Sequence, residues 1–250
     1  MQMNKKIMWI VVAIVAVLSL GFATFHANMR SVSAILVNIT DKQRYEFVTE
    51  KDIIETVSKS GLCVIGTTKL HELDLKAIED KIKVANFVAE CHASKDLVGN
   101  LVLDVKQNRP LARVFRPNMQ SNYLAENGGM MNLSKKYTAR VPIVTGEGTY
   151  KLKGNFCLED SIGKQFYNFL SFIDKHEFWK AQIAQIEFDK KFQISFYSEA
   201  GNQRIEIGKP EGYEAKLEKV MTFYKEIVPV KGWGTYQRVN VAYDRQIICE

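Results

Sequence analysis

The chain has 250 residues, 46% of them hydrophobic and 25% charged, a balance that builds a packed core and excludes a disordered tail. Its net charge of +6 is spread along the chain, and no Lys/Arg block interleaved with aromatics marks a nucleic-acid groove. A basic solvated surface beside acidic lipid headgroups accounts for the excess.

Residues 1–6 end in Lys5 and Lys6, and residues 7–25 then run without a charge. Those roughly 19 residues make a helix of about 28 Å, close to the thickness of a bilayer's hydrocarbon core. The spacing therefore predicts a transmembrane helix over 7–25, with residues 1–6 as a cytoplasmic tail and the remainder outside the cytoplasm. A cleaved signal peptide has a shorter apolar region followed closely by its cleavage site, and Ser31-Val32-Ser33 lies well past the apolar end. The lipid bilayer is thus the first expected partner.

Residues 32–39 (VSAILVNI) read as a strand. Thr49 with Asp52 three residues on forms a capping-box signature, Ile53, Ile54 and Val57 share the face of the helix that follows, and Gly61 ends it. Asp74 caps a second helix carrying Leu75, Ile78 and Ile82. Residues 87–93 and 101–105 read as strands joined through Gly99, the second with Leu101, Leu103 and Val105 on one face. The order β-α-α-β-β fills residues 32–109, and Arg109-Pro110 breaks the pattern.

Strand signals dominate residues 110–250: 111–116, 121–124, a turn at Asn127-Gly128-Gly129, and 141–144. Ile162, Phe166, Phe169, Leu170 and Ile173 mark a helix, with the aromatic stripe read as core. Residues 183–188, 192–197 and 204–207 form a meander in which Phe192, Ile194 and Phe196 oppose Gln193, Ser195 and Tyr197. A second helix carries Leu217, Val220, Met221 and Tyr224 and stops at Pro229. The last strand runs over 236–243, and 246–249 extends it. In it Val239, Val241 and Tyr243 alternate with Asn240, Ala242 and Asp244, so one face packs inward and the other is wetter. With only a few residues after it, this strand is expected at the sheet edge, open to pairing by another chain.

Reactive chemistry is not legible. The histidines His26, His71, His92 and His176 form no H-E-x-x-H pattern, and neither G-x-S-x-G nor a P-loop occurs. Glu159-Asp160 and Glu177 read as helix-end charges. Cys63, Cys91, Cys157 and Cys249 contain no C-x-x-C pair and are expected as buried free thiols. No catalytic residue, metal site, cofactor or small-molecule substrate is expected.

The β-α-α-β-β order directly after an anchor resembles a POTRA domain. F-V-T-E-K-D-I (47–53), L-D-L-K-A-I-E (73–79) and L-V-L-D-V-K-Q-N-R-P-L-A-R (101–113) resemble the bacterial cell-division family FtsQ/DivIB. Y-L-A-E-N-G-G-M-M-N-L-S (123–134) is similar to that family's Tyr-Leu, glycine turn, Met-Pro-Leu-Ser segment, with Asn132 where proline is usual, and V-N-V-A-Y-D (239–244) is similar to its V-D-L-R-Y-D-like stretch. The resemblance implies an α+β protein: an N-terminal transmembrane helix, a POTRA-like domain over 32–109 and a strand-rich β domain with two helices over 110–250. It implies a non-enzymatic scaffold at the division septum of the bacterial inner membrane, with its C-terminal domain in the periplasm. Its partners would be FtsB-like and FtsL-like coiled-coil proteins and other divisome proteins, bound by strand addition at Val239, Asn240, Val241, Ala242, Tyr243 and Asp244. The family's partner-binding tyrosine falls on Tyr243. Two other classes compete. A POTRA-containing adaptor for protein transport or envelope assembly would accompany a membrane β-barrel, for which this chain is too short. A periplasmic enzyme would show groups with shifted proton affinity clustered in a deep pocket.

Overall fold

The structure is a computed structural model describing residues 9, 14–19, 29–40, 45–84, 86–153 and 156–250. The cytoplasmic tail expected at 1–6 and most of the apolar run 7–25 lie outside the described residues. The described part of that run, Trp9 and residues 14–19, is helical, with its apolar side chains exposed. Among the described residues no helix is long and apolar enough to cross a membrane. The chain divides into two compact units at Gln107/Asn108.

The first unit holds β1 (Ile35–Thr40), α1 (Glu50–Lys59), α2 (Leu75–Lys83), β2 (Val88–Lys95) and β3 (Leu101–Gln107). The sheet order is β1-β3-β2, with β1 parallel and β2 antiparallel to β3. A parallel pair needs a long crossover, which α1, α2 and β2 supply. The caps form as their sequence dictates. Thr49 Oγ1 accepts the Asp52 N–H (3.3 Å), Asp52 Oδ2 accepts the Thr49 N–H (3.0 Å), and Asp74 Oδ1 accepts the Ala77 N–H (3.0 Å). Ile53, Val57, Ile78 and Ile82 are buried with Leu101, Leu103 and Val105, so both helices turn their apolar stripe to the sheet. Gln107 anchors the approach to α1 by donating to the Tyr45 carbonyl (2.8 Å) and accepting from the Val48 N–H (3.1 Å).

The second unit holds β4 (Pro110–Val114), β5 (Asn122–Ala125), β6 (Met130–Asn132), β7 (Ile143–Thr145), α3 (Phe156–Glu159), α4 (Ser161–Lys175), α5 (Glu177–Gln182), β8 (Ile183–Phe188), β9 (Ile194–Ser198), β10 (Arg204–Gly208), α6 (Tyr213–Thr222), α7 (Val228–Lys231), β11 (Arg238–Asn240) and β12 (Ile248–Cys249). One nine-stranded sheet runs β12-β11-β10-β9-β8-β7-β4-β5-β6. The parallel pairs β7/β8 and β10/β11 are bridged by the helical segments, as a crossover requires. Phe166, Phe169, Leu170 and Ile173 of α4 and Leu217 and Val220 of α6 join Ile186, Phe188, Phe196, Ile205 and Val239 in a single core. Phe166 stacks on Phe188 with centroids 4.2 Å apart. Asp160, read as a helix-end charge, caps α4 by accepting from Ile162 (2.8 Å) and Gly163 (3.0 Å). All four cysteines are free, three of them buried, and burial pushes the Cys157 thiol up to about 12.

Several boundaries differ from expectation. Pro110 does not break the pattern but opens β4, where a first strand residue tolerates its missing donor. The unit carries more than two helices, because α3 and α5 flank α4. Pro229 does not stop the second helix. A π-turn over Phe223–Ile227 precedes it, and Pro229 occupies the first turn of α7, where no N–H is needed. Phe192 lies outside the meander strand, at φ 62°. The terminal strand over 236–243 shrinks to Arg238–Asn240, and Ile248–Cys249, expected to extend it, folds back as its neighbour.

Candidate interaction surface

The helices cover one face of the large sheet, and the opposite face carries a side-chain pattern fixed by strand register. One row crosses six strands as Arg113, Ile143, Gln185, Tyr197, Arg204 and Arg238; the next holds Thr145, Glu187, Ser195, Glu206, Asn240 and Ile248. Toward the β12 end these rows knit into an ion-pair lattice. Glu206 receives two hydrogen bonds from Arg238 (Nε and Nη2, both 2.8 Å) and one from Asn240 Nδ2 (2.9 Å). Arg238 also reaches Glu250 (2.6 Å), and Arg204 reaches Glu187 (2.8 Å). The fork from Arg238 holds the Glu206 carboxyl below the usual range, and the two carboxylates hold the Arg238 guanidinium above its own. This lattice borders a concavity of about 320 Å³ that includes Tyr243.

The six sequence-derived positions divide sharply. Val239 and Val241 are fully buried and belong to the core. Asn240 faces the lattice. Beyond it the strand ends, because Asn240 Oδ1 accepts the Ala242 N–H (2.9 Å), a local side-chain bond that replaces the ladder. Lys219 Nζ then gathers the carbonyls of Val241 (2.6 Å) and Tyr243. Gly208 makes room: at φ +74° it sits where a Cβ would come within 2.8 Å of the Ala242 Cβ. Tyr243 is thereby carried out of the core and left 58% exposed, next to exposed Asp244.

The expectation that this segment is the sheet edge is corrected: β11 lies between β10 and β12, so its backbone is used on both sides. The edge is β12, which the sequence did not reveal. Arg238 and Glu250 exchange both backbone hydrogen bonds (3.0 and 2.9 Å), and Asn240 pairs with Ile248. Antiparallel alternation therefore turns the Cys249 N–H and C=O away from β11. Ile248 stands beside Asn240 on the solvent side.

A cavity of about 750 Å³ elsewhere in this unit is lined by Leu111, Pro142, Ile173, Asp174 and Lys180. Asp174 is ion-paired there with Lys180 (2.7 Å) and with Arg109. Carboxyls whose pKa shifts are resolved all move down, held ionised by cations or N–H donors, while thiols and tyrosines are raised by burial. Among the described residues no group of His, Cys, Asp and Glu is arranged to hold a metal.

Comparison with known proteins gives two family matches. A model described as FtsQ/DivIB, C-terminal related, matches residues 109–250, and a POTRA-like domain model matches residues 31–106. No curated protein matches the chain.

Proposed function

The chain belongs to the FtsQ/DivIB C-terminal related family, and on that premise we propose that it is a non-catalytic, membrane-anchored scaffold of the bacterial divisome. The observation that carries this reading is the succession of a POTRA-like unit and the family's C-terminal domain in one chain. In the proposed layout residues 1–6 are cytoplasmic, 7–25 cross the inner membrane, and the domains 32–109 and 110–250 stand in the periplasm at the septum. The exposed apolar side chains of helical residues 14–19 favour the anchor, since lipid is the solvent that suits them.

FtsB-like and FtsL-like coiled-coil proteins are the proposed partners, and strand addition is the proposed mode. A partner strand would pair with the outward Cys249 backbone of β12 and extend the sheet. Ile248, Asn240, Ala242, Tyr243 and Asp244 would then set specificity beside the seam, with Val239 and Val241 holding the platform rigid from below. Such a protein recruits and positions septal peptidoglycan synthesis proteins and turns nothing over. Affinity capture of the full-length chain from cross-linked, solubilised membranes tests this. Two small single-pass coiled-coil proteins are the expected recovery, whereas recovery of a secretion or outer-membrane-assembly β-barrel would overturn the divisome reading.

A further inference from the structure

The POTRA-like unit ends in a rim of apolar side chains that its core does not use. The turn between β2 and β3 is locked by Asp96. Its Oδ1 accepts the N–H groups of Val98 (3.0 Å), Gly99 (2.7 Å) and Asn100 (2.7 Å), and its Oδ2 accepts from Asn100 Nδ2 (2.7 Å). At the apex of this rigid turn stand Leu97, 99% exposed, and Val98, 69% exposed. Turns ordinarily place small or polar residues there, because a branched aliphatic side chain gains nothing from water.

The same end of the unit carries more apolar surface. Residues 30–33 run between this turn and the loop 64–70: Ser33 N–H donates to the Gly99 carbonyl (3.0 Å), Val32 N–H to Thr68 (2.9 Å), Gly66 N–H to Val32 (2.9 Å) and Leu70 N–H to Arg30 (2.9 Å). The loop exposes Val64 and Ile65, and Met29 is exposed at the entry to the strand. Arg30, Lys69 and Lys95 are exposed on the rim, and the Lys95 ammonium donates to the Leu70 carbonyl.

This is also the end at which the chain arrives from its apolar run. The run closes at Phe25, and five residues later Arg30 is already hydrogen-bonded into the unit. Five residues span at most about 17 Å, so the rim cannot stand far from the point where that run leaves a bilayer. We infer that the rim docks on the bilayer surface: Leu97, Val98, Val64 and Ile65 enter the boundary between headgroups and acyl chains, and Arg30, Lys69 and Lys95 lie at the phosphates. An apolar patch ringed by cations is what an anionic membrane interface takes. Together with the anchor it gives the unit two points of membrane contact in place of a single tether. The inference rests on the proposed anchor at 7–25.

The unit supplies its own control. Val84 is also apolar and 75% exposed, but it follows α2 just before the start of β2, where Val88 pairs with Gln107 at the opposite end of the sheet. The full chain, with Cys249→Ser to remove the one thiol that is not buried, is reconstituted in vesicles of phosphatidylethanolamine and phosphatidylglycerol. A nitroxide is attached at Leu97→Cys or at Val84→Cys, and its collisions with oxygen, which partitions into lipid, are compared with those of a water-soluble nickel chelate. The expected result is an oxygen-to-nickel ratio several-fold higher at Leu97→Cys than at Val84→Cys. Equal ratios in chains that float with the vesicles would overturn the rim while leaving the anchor intact, and would assign the turn to a protein partner. Chains that fail to float would overturn the anchor and the rim together.

Discussion

Arg116 offers a stringent test of the second unit's packing. It is 4% exposed, yet among the described residues no carboxylate pairs with it. Nε donates to the Thr149 carbonyl (3.0 Å), Nη2 to the Leu152 carbonyl (2.6 Å) and Nη1 to Asn122 Oδ1 (3.2 Å). Burial lowers the guanidinium's proton affinity but leaves it charged. The side chain thus ties the turn over residues 146–152 to the end of β4 and the start of β5. Arg116→Met keeps much of the volume and removes every donor. The buried Leu152 carbonyl loses its donor at about 1–3 kcal/mol, while the Thr149 carbonyl loses one of two bonds and keeps the Leu152 N–H (3.1 Å). Relief from desolvating the cation offsets part of that, so the expected net loss is about 2 kcal/mol. For a unit of this size that corresponds to a fall in Tm of about 6 °C. Arg116→Lys, a point charge without the fork, should fall between the two. Near-ultraviolet circular dichroism of the purified chain reads the melt. A Tm for Arg116→Met equal to or above wild type would refute the reasoning, because the cation's desolvation would then outweigh its hydrogen bonds.

Ile82→Asp places an unpaired carboxylate where Ile82 is fully buried against the POTRA-like sheet, and this unit should fail to fold at neutral pH; a wild-type melting curve would disprove the assigned helix face. Thr49→Ala removes one half of the capping box and should cost about 0.5–2 kcal/mol, read as a shift in the denaturant midpoint. Glu206 has its pKa depressed in the folded chain, so its contribution is present above the unfolded carboxylate value and is lost as pH falls through the folded one. Glu206→Gln should therefore melt below wild type at pH 7 and converge with it in strong acid, and a constant difference across the titration would count against the Arg238 fork. A reporter cysteine at Asn127, in the exposed turn between β5 and β6, should react with a membrane-impermeant thiol reagent in intact spheroplasts; reaction only after lysis would reverse the proposed topology.

The parts of the fold legible in the sequence are those written by local chemistry. The caps at Thr49 and Asp74 and the stripes on α1, α2 and α4 need only a few residues of context, and each forms where the spacing places it. The alternation of Leu101, Leu103 and Val105 names the inward face of β3 for the same reason. Features that depend on distant chain were not legible. The two-residue strand β12 has no periodicity of its own and exists because Arg238 and Asn240 offer it partners. The exit of Tyr243 from the core depends on Asn240 capping Ala242 and on Lys219, far away in α6, collecting two carbonyls. The ion-pair lattice required the register of four strands before Glu187, Arg204, Glu206 and Arg238 became neighbours. Pattern therefore placed the candidate segment at the correct end of the sheet but named the wrong strand as its edge.

The proposed scaffold works only if partners dock at the β12 seam. The most direct measurement is the affinity of the full-length chain for the purified FtsB-like and FtsL-like pair from the same host, for wild type, Tyr243→Ala and Cys249→Pro, with a melting curve for each. Because the Cys249 N–H points away from β11, proline there removes only the outward donor and should leave the sheet folded. Truncating an aromatic at a docking seam costs about 2 kcal/mol or more, so Tyr243→Ala should weaken binding by about 30-fold. Cys249→Pro should weaken it by about tenfold or more, since it deletes a backbone bond of the added strand. Wild-type affinity in both folded variants, or no binding of the pair by the wild-type chain, would contradict the account.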